Sequence, residues 1–174
     1  MLMALSIVMT AGCIKTYNIG DTCPAGGIVF FDKGNNSDGW RYLSVAPAET
    51  EFEAIWSADW FDVQGTSTAI GAGKKNTELL VADFKQRGEK GTAAQLCDEL
   101  KIGRYSDWFL PSKDELAQMY ISLRQRGLGN FGDDWYCSSS QGNNSGAWGQ
   151  SFLYGYQGID DKDSTHRVRA CRQF

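Results

Sequence analysis

The single histidine of this chain, His166, follows Asp163 by three positions, and a serine run, Ser138 to Ser140, lies upstream. An imidazole oriented by a carboxylate beside a hydroxyl is the set needed for acyl transfer. The serines sit in Tyr136-Cys-Ser-Ser-Ser-Gln141, without the strained glycine-flanked elbow that lifts a serine nucleophile into reach. They read as strand residues making structural hydrogen bonds, so a hydrolase is not expected. Asp114 and Glu115 could act as paired acids. Ser112 with Glu115 is also a capping box, and that role accounts for both carboxylates at the start of a helix. Asn35, Asn36, Ser37 and Asp38 offer oxygens without the terminal bidentate acid of a calcium loop, and read as a turn. Asp160, Asp161 and Asp163 could gather a cation, but solvation or a basic partner explains them better. The expected metal and cofactor complement is none, and the chain is expected not to be an enzyme.

Charge narrows the partners. The net charge is -4, and between Asp133 and His166 there are five acids and one base, Lys162. A nucleic-acid reader needs a basic stripe, so no nucleic-acid partner is expected. The composition combines 20 glycines, 3 prolines, 6 tryptophans and 7 tyrosines. That mixture suits tight turns joining short strands with flat side chains packed between them.

The first residues, Leu2 to Cys13, form an apolar run ending Thr-Ala-Gly-Cys. It is too short to span a bilayer and resembles the end of a secretory signal, with Cys13 as a lipidated mature terminus. A buried first strand or a truncated start is the alternative. Residues 1–13 are expected to be this signal or lipoprotein segment, and 14–174 a single domain. The expected location is the bacterial envelope or surface, lipid-anchored in the outer membrane, or otherwise secreted. Setting Cys13 aside leaves Cys23, Cys97, Cys137 and Cys171, an even number that favours disulfides in an exported chain. Cys137 and Cys171 both fall mid-strand and could bridge neighbours, closing a loop worth about 3–4 kcal/mol. Cys23 with Cys97 is the remaining pair.

The positioning elements follow from pattern. Gly27 to Asp32 and Trp40 to Val45 predict a hairpin across the polar turn Lys33 to Gly39. Asn76 or Thr77 is expected to cap a helix through about Gln86, stopped near Gly88. Thr92 and Gln95 open a second helix by a capping box, and Gly103 closes it. Trp56, Trp60 and Phe61 are expected across a core edge. Trp108 to Leu110 is a short buried strand, and Ser112 opens a third helix that Gly127 stops. Tyr136 to Ser140, Ala147 to Tyr156 and Arg167 to Arg172 predict the closing strands. Trp148 and Phe152 share a core-facing side, whereas Tyr154 and Tyr156, flanked by glycines, are expected to expose at least one ring. Arg167, Arg169 and Arg172 are expected to pair with scaffold acids such as Asp107.

Several of these segments occur together in one known pattern: Gly26 to Phe31, Gly39 to Leu43, Gly103 to Leu116, Cys137 to Ser140, Ala147-Trp148 and Arg167 to Arg172. The chain after Cys23 resembles a bacterial domain of unknown function that also forms the C-terminus of a collagen-like adhesin. The resemblance implies an α+β, C-type-lectin-like fold with short mixed strands, two to three helices and long loops, in the branch of formylglycine-generating enzymes. That family has Trp at position 137 and an aliphatic residue at 171, and their joint replacement by Cys suits a disulfide. The Glu-Pro-Asn and Trp-Asn-Asp motifs of calcium-dependent sugar binding are absent. The same branch includes variable proteins of diversity-generating retroelements, in which Asn-type codons near the C-terminus are randomised between framework residues. In that scheme Ser140, Trp148, Phe152, Lys162, Arg167 and Arg169 are framework. The variable, ligand-binding set is Asn143, Asn144, Ser145, Ser151, Leu153, Tyr154, Tyr156, Ile159, Asp160, Asp161, Asp163, Ser164 and His166. The expected function is a surface-displayed, non-enzymatic module binding a protein or other cell-surface ligand through 133–166, touching membrane only through its lipid anchor. The alternative is a copper or thiol oxidase using Cys137 and Cys171.

Overall fold

Turn residues cut this chain into short strands, and the first and last of them close on each other. The structure is a computed structural model describing residues 15–174, so the signal segment and Cys13 lie outside the described residues. Strands β1 (Ile28–Asp32) and β2 (Tyr42–Val45) form the expected hairpin, with a bulge between Val29 and Phe31. The C-terminal strand β8 (Cys171–Gln173) adds to β2, giving a three-stranded sheet in the order β1-β2-β8. The loop Asn35 to Asp38 is held by its own Asx contacts and by Lys33, whose Nζ is 2.9 Å from Asp38 Oδ2.

A five-stranded sheet carries the tail. Its members are β3 (Phe52–Ala54), β4 (Trp135–Gln141), β5 (Gly146–Ser151), β6 (Gln157–Asp161) and β7 (His166–Val168), in the order β3-β7-β4-β5-β6. The run Ala147 to Tyr156 is thus not one strand. It breaks after Ser151 into a turn closed by Gly155 at φ +85°, a conformation glycine adopts without steric cost. Arg167 to Arg172 likewise divides, its halves joining different sheets.

Among the described residues there are three helices, α1 (Gly73–Arg87), α2 (Ala93–Asp98) and α3 (Lys113–Ser122); α1 and α3 pack against the sheets and α2 packs on α1. Both expected capping boxes form, Thr92 with Gln95 and Ser112 with Glu115. Helix α1 begins at Gly73, ahead of Asn76 and Thr77, because those side chains have other duties. Asn76 Nδ2 donates to Ser67 O (2.7 Å) and Ser139 Oγ (3.1 Å), and Thr77 Oγ1 accepts from Leu110 N (3.0 Å). They tie α1 to its neighbours. Gly88 ends α1 in the left-handed conformation as expected. Helix α3 stops at Ser122, and a 3-10 turn carries the chain to the left-handed Gly127. The Trp108–Leu110 segment makes one bridge, between Phe109 and Cys171 of β8.

The class is α+β, as the pattern implied. One core cluster gathers Trp56, Leu80, Phe84, Trp108 and Val168, and a second gathers Phe30, Leu43, Phe109, Met119, Tyr136 and Phe152. Burying side chains of this size contributes roughly 1.5–3 kcal/mol each. Of the three aromatics expected at a core edge, Trp56 is buried, Phe61 packs on Phe84, and Trp60 is exposed.

The expected disulfides are not formed: Cys23, Cys97, Cys137 and Cys171 are free, buried thiols. Cys137 lies on β4 and Cys171 on β8, which belong to different sheets, so the premise of neighbouring strands fails. Cys97 lies on α2 and packs in the same cluster as Cys23 without bonding to it. Burial pushes the Cys137 thiol up to about 12 and raises those of Cys97 and Cys171 well above the ordinary range. A copper-binding or thiolate-using pair needs accessible, ionised sulfur, whereas the Cys137 and Cys171 sulfurs are both buried.

Candidate functional site

The tail sorts its residues by depth. Lys162 is 0% exposed and Arg169 2%. Lys162 Nζ donates to Phe61 O and to Gln141 Oε1 (2.9 Å) and lies 4.6 Å from the Trp56 ring centroid. Arg169 Nε donates to Glu51 Oε2 (2.9 Å), and Arg167 Nη1 to Glu51 Oε1 (2.7 Å). Tyr136 Oη also donates to Glu51 (2.8 Å). Arg172 reaches Asp107 at 2.6 Å, the partner that charge pairing suggested. Ser138, Ser139 and Ser140 are buried and bonded to backbone, Ser138 Oγ donating to Trp148 O (2.6 Å) and Ser140 Oγ to Ser67 O (2.9 Å). Glu115 is wholly buried, accepting from Gly71 N and Ser112 N, and burial raises its pKa despite those amides. These groups build the frame.

The residues expected to bind lie outside it. Tyr154 is 74% exposed and Tyr156 59%, and Leu153, Ile159, Asp160, Asp161, Asp163, Asn143 and Asn144 are exposed too. Ser145, Ser164 and His166 are half-buried. The exception is Ser151, a buried residue whose Oγ accepts from Tyr154 N (3.2 Å) and so shapes the turn without facing a ligand. Trp148 is half-buried under the Lys113 ammonium, 4.5 Å from its ring centroid, and only Phe152 of that pair enters the core.

The exposed set forms one band along the free edge of the large sheet. Asn143 to Ser145 make the β4–β5 turn, pinned by Asn143 Oδ1 accepting from Ser145 N (3.0 Å) and Gly146 N (2.8 Å). Gly146 pairs with Asp161, which brings the β6–β7 turn to the same end. Edge strand β6 carries Ile159, Asp160 and Asp161 along the middle, and Leu153, Tyr154 and Tyr156 form the far end. The aspartates on β6 also discourage pairing with another sheet, a common protection of free edges.

One side chain that sequence reasoning did not assign completes the surface. Gly149 and Gly158 are directly paired across β5 and β6. A Cβ at Gly149 would lie 2.2 Å from Trp135 Nε1, and one at Gly158 3.3 Å from Trp135 Cη2. The indole therefore lies across a shelf that two missing side chains leave open. Tyr156 stands beside it with ring centroids 5.6 Å apart, and His166 with centroids 6.1 Å apart. Trp135, Tyr156, Ile159, Asp160 and His166 line a slot of about 370 Å³. His166 Nε2 is 3.0 Å from Asp160 Oδ2. It is buried and points along no acceptor, so the contact is close but not an aligned hydrogen bond. Burial lowers the His166 pKa and the neighbouring Asp160 offsets only part of that, which favours neutral imidazole at neutral pH. No local pattern in the sequence marks this slot, because Gly149 and Gly158 meet only in the strand register and Trp135 reaches them from beyond its own partner Ser151.

Among the described residues no cluster of His, Cys, Asp or Glu is arranged to hold a metal ion, and no helix is long and apolar enough to cross a membrane.

No protein-family model matches the chain, and no curated protein does. A fimbrial protein from Bacteroides ovatus is similar in structure, with a TM-score of 0.62 and 13% identity over 85% of this chain. The match spans 44% of that protein's chain. At this identity the likeness is one of fold alone.

Proposed function

We propose that the chain is a non-enzymatic, surface-displayed module of C-type-lectin-like fold that binds a protein ligand through its tail. The observation carrying this is the separation by depth: side chains assigned to the frame interlock, and most of those assigned to contact, Ser151 excepted, reach solvent along one edge. Tyr loses little entropy on fixation and offers both area and a hydroxyl, which suits the exposed Tyr154 and Tyr156 to binding. The same separation supports diversification by a retroelement, because codons can vary at solvated positions without disturbing the core. The likeness of fold to a fimbrial protein is in keeping with display outside the cell, and a lipid on Cys13 would supply the anchor.

Two libraries test this. One randomises Asn143, Tyr154, Tyr156, Ile159, Asp160 and Asp163, and the other Ser140, Phe152, Lys162 and Arg169. After protease challenge of displayed protein, the first library is expected to survive broadly and the second to collapse. Equal attrition would overturn the proposal. For the retroelement component, the DNA downstream should hold a near-copy of the 3′ end, differing at adenines, beside a reverse transcriptase gene.

A further inference from the structure

We infer that the slot between Trp135 and Tyr156 receives an arginine side chain of the protein partner, with Asp160 as its counter-ion. This deepens the binding function proposed above and rests on it. Three features of the slot select a flat cation. The Trp135 and Tyr156 rings meet at an interplanar angle of 54° with centroids 5.6 Å apart, forming a corner of two π-faces. Cations are drawn to such faces within about 6 Å of a ring centroid, Trp being the strongest. The Asp160 carboxylate lines the same slot. One of its oxygens accepts from Asp161 N (3.0 Å) and the other lies 3.0 Å from His166 Nε2. No Lys or Arg pairs with Asp160 among the described residues, whereas Asp133 and Asp134 are paired with Arg124 and Arg167. The one carboxylate that lines the slot thus has no Lys or Arg partner among the described residues.

Arginine fits this site better than lysine for a geometric reason. A guanidinium stacks on an aromatic face and presents a donor fork to a carboxylate at once, whereas an ammonium is a compact, strongly hydrated point charge. Asp161 and Asp163, exposed and without ion pairs among the described residues, extend the negative field outward. That field favours a partner surface that is basic around the inserted side chain.

The probe is N-acetyl-arginine amide, with the neutral citrulline analogue and the lysine analogue as controls. The readout is the Trp135 indole N–H resonance, assigned through a Trp135→Phe variant. The arginine compound is expected to shift that resonance saturably, the lysine analogue to bind several-fold more weakly, and the citrulline analogue to leave it in place. Asp160→Asn, at an exposed site where folding is undisturbed, is expected to weaken the arginine probe at least several-fold and to remove its preference over citrulline. Equal effects of arginine and citrulline, equal binding of lysine, or no change on Asp160→Asn would overturn the inference. If any of these occurs while the randomised-patch library still resists protease, the arginine assignment alone falls. Collapse of that library would instead remove the binding function on which it rests.

Discussion

Lys162→Met isolates the charge that the frame holds. The ammonium is wholly buried, and burial lowers its pKa from 10.5 to about 8, with Asp62, Glu89 and Asp83 pulling it up and Arg87 pushing it down. At about 1.4 kcal/mol per pH unit, keeping this group charged in the folded state costs about 3 kcal/mol. The folded value lies below the unfolded one, so the unfolded chain binds the proton more tightly. Stability therefore rises with pH between about 8 and 10.5, and the cost is fully present at neutral pH. Between about pH 7 and 9.5 this group should add roughly 2 kcal/mol to wild-type stability. Met matches the length of the stem and cannot titrate. Gln141 Oε1 keeps its bond from Val63 N (2.8 Å) when the ammonium is gone, so the variant should fold. Urea melts of both proteins across this range supply the test, because the buried thiols and tyrosines titrate alike in each and cancel in the difference. The gap should widen by about 2 kcal/mol in favour of wild type as pH rises. Parallel curves would refute the desolvated ammonium.

At the opposite extreme of depth, Tyr154→Ser, Tyr156→Ser and Asp160→Asn should each change stability by less than about 0.5 kcal/mol while the triple variant loses partner binding; melting-temperature losses like those of frame variants would contradict this. Gly149→Ala places a methyl 2.2 Å from Trp135 Nε1 and 2.8 Å from Tyr136 O, and should cost about 1–3 kcal/mol in a urea melt and shift the Trp135 indole resonance; an unmoved resonance would show that the indole does not lie on the shelf. Because burial lowers the His166 pKa, the folded state prefers neutral imidazole, and stability should fall as pH drops from about 6.5 toward the folded value; His166→Gln should flatten that slope, and an unchanged slope would place the titration elsewhere. Cys97, Cys137 and Cys171 should resist alkylation in the native protein and react on unfolding, read by mass spectrometry; a Cys137–Cys171 disulfide in that spectrum would contradict their description as free thiols.

Local signals in the sequence carried much of this architecture. The hairpin of β1 and β2, both capping boxes and the glycine stop of α1 were legible because each depends on residues a few positions apart. The start of α1 was not, since Asn76 and Thr77 look like caps but bond to Ser67, Ser139 and Leu110, contacts set by tertiary packing. The thiols were misjudged for a similar reason: an even count says nothing about which strands become neighbours, and β8 left the large sheet for the small one. The exposed tyrosines were legible from their flanking glycines. Trp135 was not, because its significance comes from Gly149 and Gly158 meeting across a register that no local pattern specifies.

The separation of frame and surface has an energetic basis in how the tail is anchored. Backbone on both sides of the β6–β7 turn is fixed independently of the exposed side chains: Trp56 N and Ser57 N both donate to Lys162 O, and Lys162 N donates to Ser145 O. The β5–β6 turn is likewise closed by Gly155 N donating to Ser151 O (2.8 Å) and Ser151 N to Tyr156 O (3.0 Å). Main-chain bonds of this kind persist whatever side chain occupies Tyr154, Tyr156 or Asp163. Replacing an exposed side chain then alters contact chemistry with little change in folding free energy, whereas replacing Arg169 strands the Glu51 carboxylate, a loss of several kcal/mol for a buried charged pair. Selection for a new ligand can therefore act on the band without eroding stability, provided that Gly149 and Gly158 remain small enough to seat Trp135. The glycine pair, more than any exposed residue, is where tolerance to variation should end.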